Sequence, residues 1–377
     1  MIALRASFYS VDARMKIMIF GLTISSSWGN GHATLWRGLC KALGSMGHDV
    51  TFFERDVSYY AQNRDCCSPA GCSLFLYDSW QAARARIARE LADADVVIVT
   101  SYCPDALCAT RESLDAGRPI CVFYDLDTPV TLSRLRDGET VPYIGTDGLR
   151  HYDLVLSYTG GEALTQLSSS LGARRAHALY GHVDPDVHRP AVPIERYRAD
   201  LSYLGTYAAD RQARLVELFV EPARRRSAQR FLLAGTQYPE DFPWLRNVYF
   251  VRHLSPDQHA AFFSSSRLTL NITRAAMAQM GWCPSGRLFE ASACGATVVS
   301  DRWAGLDDFY TPGAQILLAD DTVESLQSLD LDAARVRSIG RAARERTLDE
   351  HTSHSRARVL VRLLESACSS SEAELMQ

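Results

Sequence analysis

The sequence contains no apolar run near the roughly 18 residues that cross a bilayer, so no transmembrane segment is expected. It has no surplus of positive charge either: 40 Lys and Arg stand against 44 Asp and Glu, and the formal net charge is −4. A nucleic-acid partner would call for a basic face, and the one cluster, Arg224-Arg225-Arg226, reads as the solvated side of a helix. The Gly-x-Gly-x-x-Gly fingerprint of dinucleotide binding is missing. Cys66, Cys67 and Cys72 crowd one loop, but no matching Cys or His pair completes a zinc pattern, and no metal ligands are assigned. No repeat of solenoid length occurs. No signal peptide is visible, and Cys40, Cys103, Cys108, Cys121 and Cys294 fall in apolar strands or helices. Reduced core thiols and a cytoplasmic location are therefore expected.

What remains is an ordinary globular composition, 47% hydrophobic and 22% charged over 377 residues. That length suits two domains of about 150–200 residues each. Met1–Arg14 shows no period and reads as an extension ahead of a cleaner start at Met15. Ile17–Phe20 is an apolar strand that runs into Ser25-Ser26-Ser27-Trp28-Gly29-Asn30-Gly31-His32. Leu35, Trp36, Leu39, Cys40, Leu43 and Met46 then recur at helical spacing, and Val50–Phe53 is the next strand. This βαβ unit with a Gly-rich first loop opens a doubly wound parallel sheet. His32 stands at the carboxyl edge of that sheet, either as a plain residue at a helix start or as a general base.

Further strands are expected at Val96–Val99, Pro119–Tyr124, Leu154–Tyr158 and Ala178–Tyr180. Asp125 and Asp127 follow the second of these. Two acids so spaced can bind a divalent ion carrying a nucleotide-sugar, orient a histidine, or cap the turn before Pro129. The shared sheet edge favours the histidine partner for one of the two. The polar, proline-bearing stretch Gly181–Pro190 closes a first domain over residues 15–190.

A second alternating series covers 196–350. Its first strand ends in Gly205-Thr206, placed for a diphosphate, with Arg211 a weaker candidate at the following helix start. A strand over Leu268–Ile272 delivers Asn271 and Arg274 to the same edge. The central stretch runs from Pro284 to Ala296. Gly286 opens a short helix after Ser285, where free N–H groups and the positive dipole end receive an anion. Arg287 adds a planar fork for phosphate oxygens, and Glu290 lies one turn on, placed for hydroxyls of the same ligand. Gly295-Ala296 ends the helix before a strand over Thr297–Ser300. A diphosphate and a ribose held side by side fit this chemistry, so a nucleotide-sugar site is expected. Helical patterns follow over Thr322–Leu348 and Ser353–Ala367, and Ser369–Gln377 reads as a loose tail.

Taken together, Ser27-Trp28-Gly29-Asn30-Gly31-His32, Glu54-Arg55-Asp56 and Tyr124-Asp125-Leu126-Asp127-Thr128-Pro129 carry a family resemblance. In the second half it rests on Tyr203-Leu204-Gly205-Thr206-Tyr207, Pro284–Gly295 and Ser300-Asp301. Over Met15 to about Ala367 the chain resembles CgeB-type (spore-maturation protein) glycosyltransferases, a branch of the GT-B superfamily related to glycosyltransferase families 1 and 4. The resemblance implies an α/β GT-B fold of two Rossmann-like domains facing each other across a cleft. It implies donor binding by the C-terminal domain, acceptor binding by the N-terminal one, and a final helix over 351–367 crossing back to the first domain. It assigns Glu290 to the ribose hydroxyls and Ser285, Gly286 and Arg287 to the diphosphate, with Arg274 assisting. His32 takes the place of the first-loop base of inverting members. The partners implied are a nucleotide-sugar donor, used as co-substrate without an essential metal or other cofactor, and a sugar-accepting small molecule or glycan.

One departure is plain. Retaining family-4 members carry Glu-x7-Glu, and the position eight before Glu290 is Trp282. Three rivals share the scaffold: a nucleotide-sugar epimerase, a sugar phosphorylase, and a non-catalytic carbohydrate-binding protein.

Overall fold

Runs of β-branched and aromatic residues form parallel strands that are buried on both faces, as in Val96–Thr100, where all five residues are buried. The computed structural model describes residues 14–375. It divides into two compact units, one holding the chain up to Tyr180 plus Arg356 onward, the other Gly181–Ser355. The extension expected over Met1–Arg14 lies, except for Arg14, outside the described residues.

The first unit is built on β1 (Lys16–Gly21), β2 (Asp49–Arg55), β3 (Ser73–Tyr77), β4 (Val96–Thr100), β5 (Ile120–Asp125), β6 (Leu154–Ser157) and β7 (Ala176–Ala178). They form one parallel sheet in the order β3-β2-β1-β4-β5-β6-β7. The second unit carries β8 (Ala199–Leu204), β9 (Phe231–Ala234), β10 (Val248–Val251), β11 (Ser266–Asn271), β12 (Thr297–Ser300) and β13 (Leu317–Leu318). Their order is β10-β9-β8-β11-β12-β13. Both are doubly wound Rossmann-like sheets whose order reverses once, between β1 and β4 and between β8 and β11. Ligands of such sheets bind outside the carboxyl ends of the strands at that reversal. The loops after β1, β4, β8 and β11 are therefore the ones to inspect.

Several sequence expectations need correction. β3 has no counterpart among the expected strands, and β7 lies at Ala176–Ala178 rather than Ala178–Tyr180. Both are edge strands, half-buried and short, so neither shows a continuous apolar run. Residues 181–190 belong to the second unit, so the division falls before that stretch, not at 190. The cause is pairing: Val183 N–H donates to the His351 carbonyl at 3.0 Å, and Ser353 N–H donates to Val183 at 2.8 Å. The helical pattern over Thr322–Leu348 is two helices, Thr322–Asp330 and Ala333–Glu350. Leu331 is extended, and the Asp332 carboxylate caps the second helix by accepting from Ala334 and Arg335 N–H.

The last helix is continuous over Ser353–Leu375. The tail expected from Ser369 is therefore helical through Leu375, where Glu372, Ala373, Glu374 and Leu375 are all strong helix formers. Ala357, Leu360, Leu364 and Ala367 on this helix are buried in the first unit's core with Ile17, Leu39 and Val122. Arg356 Nε also donates to the Tyr180 carbonyl at 3.2 Å, which fixes the start of that packing.

Candidate functional sites in the two units

The loop after β1 is organised by one buried carboxylate. Glu54, on β2 and 1% exposed, accepts from Thr23 Oγ1 at 2.9 Å, Ile24 N–H at 2.8 Å, Ser25 N–H at 3.0 Å and Ser25 Oγ at 2.6 Å. Four donors aimed at one buried carboxyl group satisfy its oxygens and hold the loop in this conformation. Asp65 clamps the next turn through Ser27 N–H at 3.1 Å, and Asn30 Oδ1 accepts from His32 N–H at 2.9 Å. His32 then opens the helix His32–Ser45.

His32 faces Asp127. Its Nε2 lies 4.0 Å from Asp127 Oδ2, both side chains being partly buried. Burial lowers the His32 pKa, and the Asp127 carboxylate works in the opposite direction. Burial thus favours the neutral imidazole. His32 Nδ1 is buried and has no partner among the described residues.

Asp125 does something else. It ends β5 fully buried and accepts from Asp127 N–H at 3.1 Å. Burial pushes its carboxyl up to about 6, against the nearby Thr131 and Ser101 hydroxyls and the Asp127 N–H. Of the two acids, Asp127 is the one beside His32, and Asp125 shapes the turn that presents it. Sequence reasoning missed Tyr102. It follows β4 at φ +63°, a left-handed conformation costing a non-glycine residue about 1–2 kcal/mol. Its ring centre lies 6.1 Å from that of His32, and its hydroxyl ionises less readily because of burial and Asp127. No periodicity marks such a residue; only the folded backbone shows it.

In the second unit the helix Gly286–Ala293 begins where expected, with Ser285 as its cap accepting from Arg287 N–H at 3.3 Å. Arg287 reaches back across the carboxyl end of the sheet. Its Nη1 donates to Asn271 Oδ1, at the end of β11, at 3.0 Å, and its guanidinium lies 5.1 Å from the Tyr203 ring centre. Burial lowers its pKa, with Arg211 adding to that and Tyr203 and Glu290 opposing it. Arg211 stands at the same place and donates through Nη2 to the Thr206 carbonyl. Neither guanidinium has a carboxylate in ion-pair range among the described residues, and the Nε of each is buried without a partner.

Gly205 and Thr206 pass between them. A Cβ on Gly205 would sit 2.8 Å from Tyr203 Oη and 3.0 Å from Arg287 Nη2, so glycine is what lets both side chains lie this close to the backbone. Thr206 Oγ1 accepts from Thr236 Oγ1 at 3.4 Å. Arg274 is placed differently from the rest: it is partly exposed and paired with Asp210 at 3.3 Å. Arg211 and Arg287, by contrast, have no such carboxylate partner among the described residues. Asp210-Arg211-Gln212 looked like a common surface helix start, and that is why Arg211 ranked low from the sequence.

Glu290 is 15% exposed at the side chain and sits between two histidines: Oε1 is 3.9 Å from His188 Nε2 and Oε2 is 3.8 Å from His259 Nδ1. Trp282, eight residues earlier, has φ +43° and donates its indole N–H to Asp308 Oδ2 at 2.6 Å. An indole therefore occupies the place where family-4 members carry an acid.

Residues 211–362 match the family described as "Glycosyl transferase-like". No curated protein matches the chain. Among solved structures, the fold is similar to a sucrose-phosphate synthase from Thermosynechococcus elongatus, with a TM-score of 0.67 and 14% identity over 95% of this chain and 100% of that one. It is similar to Anabaena HepE, solved in complex with UDP-glucose, with a TM-score of 0.65 and 14% identity over 94% and 100%. It is also similar to the catalytic domain of starch synthase IV from Arabidopsis thaliana, solved with ADP and acarbose, with a TM-score of 0.64 and 11% identity over 95% and 100%. The chain has the α/β fold of GT-B glycosyltransferases, with two Rossmann-like parallel sheets.

Proposed function

We propose that this chain is a glycosyltransferase of CgeB type that moves a sugar from a nucleoside-diphosphate sugar to a hydroxyl of a small molecule or glycan. The observation that carries this reading is the pair Arg211 and Arg287. Two guanidiniums with no carboxylate in ion-pair range among the described residues converge on Gly205-Thr206, beside the N-terminus of the helix Gly286–Ala293 and one turn from Glu290. Cations so placed without a direct ion pair suit a polyanion, and a diphosphate with an attached ribose matches both the charge and the neighbouring carboxylate.

In this mechanism the acceptor oxygen attacks the anomeric carbon while the bond from that carbon to the diphosphate oxygen breaks. The electron pair leaves with the nucleoside diphosphate, whose growing charge Arg211, Arg287 and the helix N-terminus stabilise without a metal. The acceptor proton passes to His32, whose imidazolium Asp127 then stabilises. Direct attack of this kind inverts the anomeric centre. The Trp282 substitution supports that choice over the Glu-x7-Glu pattern of retaining relatives. A reducing, cytoplasmic setting suits ten cysteines that form no disulfide among the described residues.

Calorimetric titration with UDP, ADP and GDP tests the reading. At least one binds, and Glu290→Ala weakens it while Arg287→Ala weakens it further. Nucleotide affinity unchanged in both variants overturns the assignment.

A further inference from the structure

Glu290 shares its surroundings with two imidazoles that the transfer reaction does not use. His188 comes from the stretch after Val183, His259 from the helix Pro256–Ser265, and Glu290 from the helix Gly286–Ala293. One ligand atom from each lies within 4.8 Å of the others. His188 Nε2 is 3.5 Å from His259 Nδ1, and the carboxylate oxygens are 3.9 and 3.8 Å from the two nitrogens.

These distances are at or beyond the limit of useful hydrogen bonds, which run at about 2.7–3.2 Å. They approach the edge of a coordination tetrahedron instead: bonds of about 2.0–2.1 Å to zinc place neighbouring ligand atoms about 3.3 Å apart. The tautomers fit as well. His259 Nε2 lies 3.4 Å from the Leu254 carbonyl, and donating a proton there leaves the Nδ1 lone pair facing Glu290. His188 is 3% exposed, its best polar contact is the 3.5 Å one to His259, and its Nδ1 has no partner. Nε2, the nitrogen that faces His259 and Glu290, meets them only at 3.5 and 3.9 Å, longer than a useful hydrogen bond.

We infer that His188, His259 and Glu290 form a binding site for a divalent transition-metal ion of the zinc type, with one coordination position open. The donor set of two imidazoles and a carboxylate selects zinc-like ions over magnesium or calcium. Because Glu290 is also the residue assigned to the ribose, metal and nucleotide compete for it. The ion is then an antagonist of donor binding, not a participant in transfer. That second consequence rests on the function proposed above; the metal site itself does not.

The test is calorimetric titration of Zn²⁺ into chelator-stripped full-length protein, alongside His188→Ala and His259→Ala. One site is expected, weakened at least about 100-fold in each variant, the upper end of what losing a mere outer-shell partner costs. Thiols are also able to take up zinc, so Co²⁺ serves as a second probe: its absorption should show tetrahedral d–d bands without sulfur charge transfer. Thermal melting of the stripped proteins checks folding, and His259→Gln, which keeps volume, replaces an alanine variant that melts early. With Zn²⁺ saturating, UDP and ADP affinity should fall at least tenfold in the wild type. Zinc affinity unchanged in the histidine variants, or a cobalt spectrum dominated by sulfur, overturns the site. Nucleotide binding with no zinc site overturns this inference alone. Zinc binding without any nucleotide binding upholds the site and removes the proposed function.

Discussion

His32 Nε2 and Asp127 Oδ2 lie 4.0 Å apart, close enough for the carboxylate to stabilise an imidazolium and too far for a direct hydrogen bond. Burial and Asp127 pull the imidazole in opposite directions, burial being the larger effect. His32→Ala should lower kcat by on the order of 100-fold or more, with little change in nucleotide affinity. In Asp127→Asn only the lowering effect remains. The acidic limb of the kcat–pH profile, where His32 is protonated and inactive, should then move to lower pH, with a reduced plateau. An acidic limb that stays in place shows that Asp127 is not the electrostatic partner of the base.

Gly205 gives the second prediction. A methyl group there meets Tyr203 Oη at 2.8 Å and Arg287 Nη2 at 3.0 Å, so in Gly205→Ala the phenol has to shift and the guanidinium has to give by a few tenths of an ångström. Affinity for UDP or ADP should fall roughly 10–100-fold, the range of one or two charge-assisted hydrogen bonds. The nucleosides alone, tested in parallel, should bind as they do to the wild type. Equal losses for nucleoside and nucleotide would place the diphosphate elsewhere.

Glu54 concerns the frame rather than the chemistry. Glu54→Ala leaves the buried N–H groups of Ile24 and Ser25 without an acceptor. Each such group costs about 1–3 kcal/mol, so the first unit should lose roughly 2–6 kcal/mol. A urea titration read by tryptophan fluorescence measures this. Glu54→Gln, which can still accept, should lose less, and equal losses in the two variants would contradict the assigned role.

Asp125 sets a stability trend with pH. Its carboxyl titrates at about 6 in the folded chain against an ordinary value of 3.8, so between those values the folded state holds a proton that the unfolded state has released. The group's contribution is therefore fully present below about 3.8 and is lost as pH rises through about 6. Asp125→Asn, which never ionises, should stabilise the protein at pH 7–8 by up to about 3 kcal/mol, and the gain should vanish near pH 4. Denaturation midpoints across that range check it, and a gain independent of pH would point to packing instead.

The sequence displayed the parts that follow from backbone periodicity and loop chemistry. The apolar cores of β1, β4 and β12, the opening of the helix at Gly286 and the placing of His32 at the edge of the first sheet all follow from short local patterns. Partnerships made across the fold were hidden. Asp125 and Asp127 are two residues apart and look alike as text, yet one is sealed beneath the turn and the other faces a histidine 95 positions away. Arg211 and Arg274 both begin helices after a strand, and only the folded chain shows that Arg274 is neutralised by Asp210 while Arg211 is not. His188 and His259 lie 71 residues apart in segments of unrelated pattern, so no spacing rule joins them to Glu290.

Trp282 limits how this site can be redesigned. Its left-handed backbone and its indole N–H bond to Asp308 make one fitted unit. Restoring the acid of retaining relatives by Trp282→Glu would remove the donor and leave two carboxylates facing each other. The double-glutamate arrangement is thus more than one substitution away: Asp308 has to be neutralised first, and the order in which the two changes are made decides whether the intermediate protein is stable.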